Sequence, residues 1–220
     1  MDIRGMTFGD YNTATNGWTL TAWKLSAAEQ KTKYIDKPSG DGSWDISTVL
    51  TDGIIRYKDR VLTATFECSE DSRMTRENTI RQMINSLDGM KVEIVLPDNE
   101  EYYLVGRLKV VREYNDLAHA RVTVTATCEP WKYAKAETVV TVTAKTAEQH
   151  EKLENTGRRA VVPEISVIGG PVHLKYGKDP TTLTEGTWRW PNLLLTPGEH
   201  ALTYSGSGTI DITYREAVLE

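Results

Sequence analysis

Residues 121–134 read Arg-Val-Thr-Val-Thr-Ala-Thr-Cys-Glu-Pro-Trp-Lys-Tyr-Ala. Val122, Val124, Ala126 and Cys128 share one parity, and Thr123, Thr125 and Thr127 share the other. A strict period of two marks a half-buried strand, and its β-branched residues suit a pleated surface. Pro130 has no backbone N–H to give a ladder, so the strand stops there.

Upstream, the same alternation recurs. Arg60–Ser69 places Leu62, Ala64, Phe66 and Cys68 on one face, and Lys91–Leu96 places Val92, Ile94 and Leu96 together before Pro97-Asp98. Tyr102–Tyr114 is a further strand, with its turn at Asn115-Asp116. Trp18–Lys24 alternates with Trp18, Leu20 and Ala22 on one parity and Trp23 on the other. Residues 26–43 are polar, contain Pro38, Gly40 and Gly42, and read as a long arm or loop. One segment has helical periodicity. Ile80, Met83, Ile84 and Leu87 recur at i, i+3, i+4 and i+7, which predicts a helix over Thr75–Asp88 with Thr75 as N-cap, Glu77 in the first turn and Gly89 as the stop.

A domain boundary is expected between about 133 and 162. Val139–Thr143 alternates as a strand crossing between domains, and Ala147–Gly157 is charged and helix-tolerant. Beyond it, Pro163–Ile168, Val172–Tyr176, Thr187–Leu195, Gly198–Tyr204 and Thr209–Tyr214 read as short strands between Gly- and Pro-rich turns. That spacing predicts a β-sandwich or jelly roll.

The 220 residues suffice for one large domain or two small ones. Hydrophobic residues make up 39% and charged residues 26%, which excludes wholesale disorder. Net charge is −5 with no long basic run, which argues against a sequence-reading nucleic-acid binder. The opening Met1-Asp2-Ile3-Arg4-Gly5 lacks a long apolar stretch and no run approaches membrane-spanning length, which predicts synthesis in a cytoplasm and no membrane insertion. Cys68 and Cys128 both fall on apolar parities and read as buried thiols; a cross-strand disulfide is the less favoured alternative.

No chemistry stands out. His119, His150, His173 and His200 lack ligand spacing or a triad signature and read as surface or turn residues. Gly206-Ser207-Gly208-Thr209 has no following Lys or helix and reads as a tight hairpin rather than a phosphate cradle. Asp98-Asn99-Glu100-Glu101 reads as a solvated turn. Carboxylates could pair in space, but nothing singles out a pair. No catalytic, cofactor-binding or metal-ligating residue is assigned. Trp188-Arg189-Trp190 places two indoles on one parity, the layout of a carbohydrate-binding platform. Packing in a core or against a neighbouring subunit is the favoured reading, since large aromatics are most often buried. Trp44 and Trp131 are expected to anchor the first core.

Several segments together resemble one family. Gly42-Ser43-Trp44-Asp45-Ile46-Ser47, then Leu50-Thr51-Asp52, Arg56–Arg60, the strand holding Phe66, Tyr102-Tyr103-Leu104-Val105-Gly106-Arg107 and the Glu-Pro-Trp-Lys-Tyr turn follow one another in the order seen in siphophage distal tail (Dit) proteins. Gly198-Glu199-His200, Gly206–Thr209 and Thr213–Glu216 are similar to that family's closing strands. No single motif is specific; the order and spacing carry the resemblance, which is weak over 136–162. It implies a mainly β chain with one α-helix. An N-terminal β-sandwich or split-barrel-like domain carrying the helix (1–135) would precede a C-terminal galectin-like or jelly-roll β-sandwich (136–220). It also implies a non-enzymatic virion protein of the tail tip, of phage or prophage, assembled as a homohexameric ring. Its partners would be the major tail tube protein and the tail-associated or receptor-binding apparatus, with DNA only as cargo through the channel. An acidic chain suits that passage, because a basic lumen would retain the duplex. The 26–43 arm is the expected subunit contact, with Tyr34, Ile35 and Pro38 as candidate partner-binding residues beside Trp188 and Trp190. The chain has no room for the inserted carbohydrate-binding modules of larger relatives, which argues against direct sugar binding.

Overall fold

Alternation decides the first half. In the computed structural model, which describes residues 5–51, 53–69, 72–116 and 119–220, the strands are β1 (Thr7–Phe8), β2 (Tyr11–Asn12), β3 (Thr19–Leu25), β4 (Tyr34–Asp36), β5 (Ser43–Asp45) and β6 (Arg60–Cys68). Helix α1 (Arg73–Leu87) follows, then β7 (Lys91–Leu96), β8 (Asn99–Asn115) and β9 (Ala120–Cys128). The start Met1–Arg4 and Asp52 of the Leu-Thr-Asp motif lie outside the described residues. The chain divides into two compact units, Met1–Pro130 and Trp131–Glu220.

In the first unit the sheet order is β2-β1-β7-β8-β9-β6-β3, with antiparallel neighbours. The apolar parities of β6 and β9 are buried as the alternation predicts, and α1 adds Ile80, Met83 and Leu87 to the same core. The threonine parity faces away from that core. Cys128 stands opposite Arg60 and Gly106, whereas Cys68 stands opposite Ala120. The two free cysteines thus lie at opposite ends of the β6–β9 pair, about 26 Å apart at the usual strand rise, far beyond disulfide reach.

Four expectations need correcting here. The helix begins two residues early: Ser72 is the N-cap, its hydroxyl accepting from the Met74 N–H at 3.2 Å. Glu77 lies beyond the first turn and instead accepts two hydrogen bonds from Arg112, at 2.7 and 3.0 Å. In β3 the register shifts between Leu20 and Ala22, so Leu20, Trp23 and Leu25 pack against the core while Ala22 is exposed. A bulge swaps parity, which a fixed period of two cannot anticipate. The acidic run is mostly strand: β7 and β8 join through the two residues Pro97 and Asp98, with Leu96 opposite Asn99.

The 26–43 loop is part of a longer, backbone-paired arm. Gln30 bridges Tyr57, the Lys58 N–H donates to Glu29 and the Lys31 N–H to Arg56, and β4 pairs with β5 through Ile35–Trp44. Buried Arg60 holds the root, its Nε donating to the Ser26 carbonyl at 2.7 Å. Gly42, at φ 76°, makes the hairpin turn that the glycines first suggested as a loop. Trp44, expected in the core, is 53% exposed on this hairpin.

The second unit holds a short pair, β10 (Lys132–Ala134) with β19 (Ala217–Val218), around eight strands: β11 (Thr138–Ala144), β12 (Gln149–Asn155), β13 (Glu164–Ile168), β14 (Val172–Tyr176), β15 (Asp179–Leu183), β16 (Gly186–Arg189), β17 (Gly198–Gly206) and β18 (Gly208–Tyr214). The eight form sheets ordered β11-β18-β13-β16 and β12-β17-β14-β15. First pairs with last, second with seventh, third with sixth and fourth with fifth, the nested wrap of a jelly roll. Both sheets line one core, including Val142, Leu153, Ile165, Leu174, Leu202 and Ile212.

Several second-half expectations change. Val139–Thr143 lies within β11 and belongs wholly to this sandwich rather than crossing between domains. Within the stretch 147–157, read as helix-tolerant, Gln149–Asn155 forms strand β12. β15 was hidden by Pro180, which an edge strand tolerates. The strand expected over 187–195 ends at Arg189. Gly206-Ser207-Gly208 is not a hairpin: β17 and β18 lie in different sheets, and this link carries the chain across. Gly206 and Gly208 take φ of 127° and 128°, and a Cβ at either would come within 2.6 Å of a backbone oxygen.

Candidate interaction surfaces

The titratable groups are dispersed. No cluster of three His, Cys, Asp or Glu residues fit for a metal occurs among the described residues. His150 and His173 hydrogen-bond Thr203 and Thr182 across neighbouring strands, and the His119 N–H donates to Asp116. His200 is held by its surroundings. Its Nε2 lies 2.7 Å from the Thr196 carbonyl, which can only accept, so Nε2 donates there, and the Tyr176 hydroxyl lies 2.6 Å from Nδ1 and 3.3 Å from the Leu194 carbonyl. Burial raises the Tyr176 hydroxyl above the ordinary tyrosine range. Burial also pushes the Cys128 thiol up to about 12, against a smaller lowering from Arg60.

What the fold presents instead is surface. On the arm, Tyr34 is 59% and Ile35 46% exposed, and Pro38 is exposed as well. Ile35 and Trp44 are register partners, so their side chains share one hairpin face. Val49, Leu50 and Ile55 continue the exposed apolar set along the arm. Tyr34, Ile35 and Pro38, named from the sequence, are exposed; Trp44 was expected in the core, and its pairing with Ile35 is visible only once the hairpin register is known. Asp45 caps the turn after β5, accepting from Ser47, whose hydrogen bonds hold the carboxyl below its usual range.

Trp188 and Trp190 are not brought together as an outward platform. Trp188 stands opposite fully buried Ile165 on edge strand β16 but remains 41% exposed, its N–H donating to the Thr184 carbonyl at 2.9 Å. Trp190 lies beyond the strand and packs against the sandwich core.

A further surface, unnoticed in the sequence, is the outward face of the first sheet. Register sets Lys24, Thr63, Thr125 and Lys109 in one row, with Val61, Thr127, Arg107 and Lys91 in the next. A depression of about 610 Å³ opens there, lined by Asp59, Lys91, Arg107, Lys109, Thr127 and Glu129 among others. At the far end of the face Glu67 receives Arg121, which also stacks on Tyr114.

These features describe two compact, mainly β units. The chain shares its fold with the crystal structure of the SPP1 Dit protein (gp 19.1), described as a paradigm of the hub adsorption apparatus in phages infecting Gram-positive bacteria. The match has a TM-score of 0.70 at 15% identity and covers 96% of this chain and 98% of that one. The resemblance read from the motifs therefore holds at the level of the fold. No family model matches the chain, and no curated protein does.

Proposed function

We propose that this chain is a structural component of a phage or prophage tail tip: a distal tail protein that forms a homohexameric hub ring. The ring joins the tail tube to the tail-associated or receptor-binding apparatus and lets DNA pass during adsorption. The observation that carries this reading is the fold likeness along nearly the whole chain, both units included, to a protein of a phage hub adsorption apparatus. The domain division proposed with it is a ring-forming domain over 1–135 and a galectin-like sandwich over 136–220.

The arm supports the reading independently. A two-stranded hairpin is at best marginally stable alone in water, and this one carries Tyr34, Ile35 and Trp44 exposed. Such a hairpin gains stability by laying its apolar face on a neighbour, and a ring needs a head-to-tail contact of this kind. Tyr34, Ile35 and Pro38 are therefore the proposed subunit contacts. Of the two tryptophans, Trp190 packs against the sandwich core, while Trp188 is exposed on an edge strand and stays a proposed partner residue.

The test is localisation. Antibody to this chain, imaged by electron microscopy on phage particles carrying it, is expected to decorate the distal end of the tail tube. Label on the capsid or along the tube would contradict the proposal.

A further inference from the structure

Two charged patches lie along β8. Asp98, Glu100 and Glu101 are exposed at the β7–β8 turn and the start of the strand, and Arg107 and Lys109 are exposed further along. The cationic end opens into the depression lined by Lys91, Arg107 and Lys109. Glu129 neutralises Lys91 at 2.9 Å, and Arg107 donates to the Gly89 carbonyl at 2.6 Å. Lys109 forms no ion pair among the described residues, nor do Asp98, Glu100 or Glu101. Lys24 adds a second such cation in the row of Lys109, on the far side of Thr63 and Thr125.

An exposed acidic turn lies on the same strand as a depression whose cations, Lys91, Arg107 and Lys109, outnumber its carboxylates, Asp59 and Glu129, by one. Glu101 and Lys109 are eight residues apart, about 26 Å at the usual rise, so the two patches cannot meet within one chain. Between two copies, the unpaired carboxylates of the turn complement Arg107 and Lys109 in charge. We propose that the acidic β7–β8 turn of one copy seats in the Lys91–Arg107–Lys109 depression of the next. This is a heterologous contact, the only kind that builds a ring, and its register would be fixed by charge. The inference rests on the ring reading and names a contact within it, separate from the arm.

The experiment measures assembly by light scattering of the full chain at low and high salt, with paired charge reversals. Raising salt is expected to move the half-assembly concentration up at least tenfold. Arg107→Glu with Lys109→Glu is expected to do the same, as is Glu100→Lys with Glu101→Lys. Combining all four in one chain is expected to restore assembly to within about threefold of the parent. Lys109→Glu alone serves as a second socket variant that leaves the Arg107–Gly89 bond intact, and far-ultraviolet dichroism checks each fold. A ring whose midpoint ignores both reversals overturns this contact and leaves the ring reading standing. Failure of the four-fold variant to recover also overturns it. So does a parent chain that never self-associates; the tail reading is then judged by its own localisation test.

Discussion

Gly106 lies where β8 passes Cys128, and a Cβ built there would fall 2.7 Å from the Cys128 sulfur and 3.1 Å from Ile94 Cδ1. The glycine in the Tyr-Tyr-Leu-Val-Gly-Arg motif is thus a packing requirement, not a turn. Gly106→Ala is expected to destabilise the first unit by about 1–3 kcal/mol, read as a lowered midpoint in urea with unchanged slope. The neighbouring thiol has a pH signature. Unfolded, Cys128 ionises near its ordinary value of about 8.5; folded, it holds its proton to about 12. Between those values the unfolded chain binds fewer protons, so stability falls as pH rises, by up to about 1.4 kcal/mol per pH unit. Urea midpoints at pH 8 and 10.5 are expected to diverge less in Cys128→Ala than in the parent. Equal divergence would mean the thiol is not held neutral.

At the scale of elements, legibility followed the inward-facing residues. β6 and β9 could be read because every inward position after Arg60 is apolar. β12 could not. Its inward positions are Gln149, Glu151, Leu153 and Asn155, and Asn155 is buried only because its amide donates to the Arg159 and Leu195 carbonyls and its oxygen accepts from Gly157. That satisfaction is tertiary and leaves no period in the sequence. For Trp188 the sequence showed a parity but not which side faced the core, which depended on Ile165 opposite. The arm was seen as an arm, but its hairpin register, which unites Ile35 with Trp44, was not. The β17–β18 crossing was read as a hairpin because glycine signals a turn without saying which sheets it joins. Gly208→Ala there meets both a left-handed φ and the Ile168 carbonyl at 2.6 Å. It is expected to cost about 3 kcal/mol, with hydrogen exchange accelerated in the second unit and the first unit's amides unchanged.

For the whole molecule, the order of motifs carried more than any one of them. It anticipated an architecture that the fold likeness to a phage hub protein matches over 96% of the chain. The central claim, that this is a ring-forming tail component, depends on self-association through surfaces the fold leaves bare: the apolar arm and the charged patches along β8. The most direct test is the mass of the purified chain in solution, by light scattering behind size exclusion across a wide concentration range. The account predicts a species of about six times 24.7 kDa that grows in with concentration. A chain that stays at 24.7 kDa throughout, and does not assemble when mixed with tail tube protein, would contradict it.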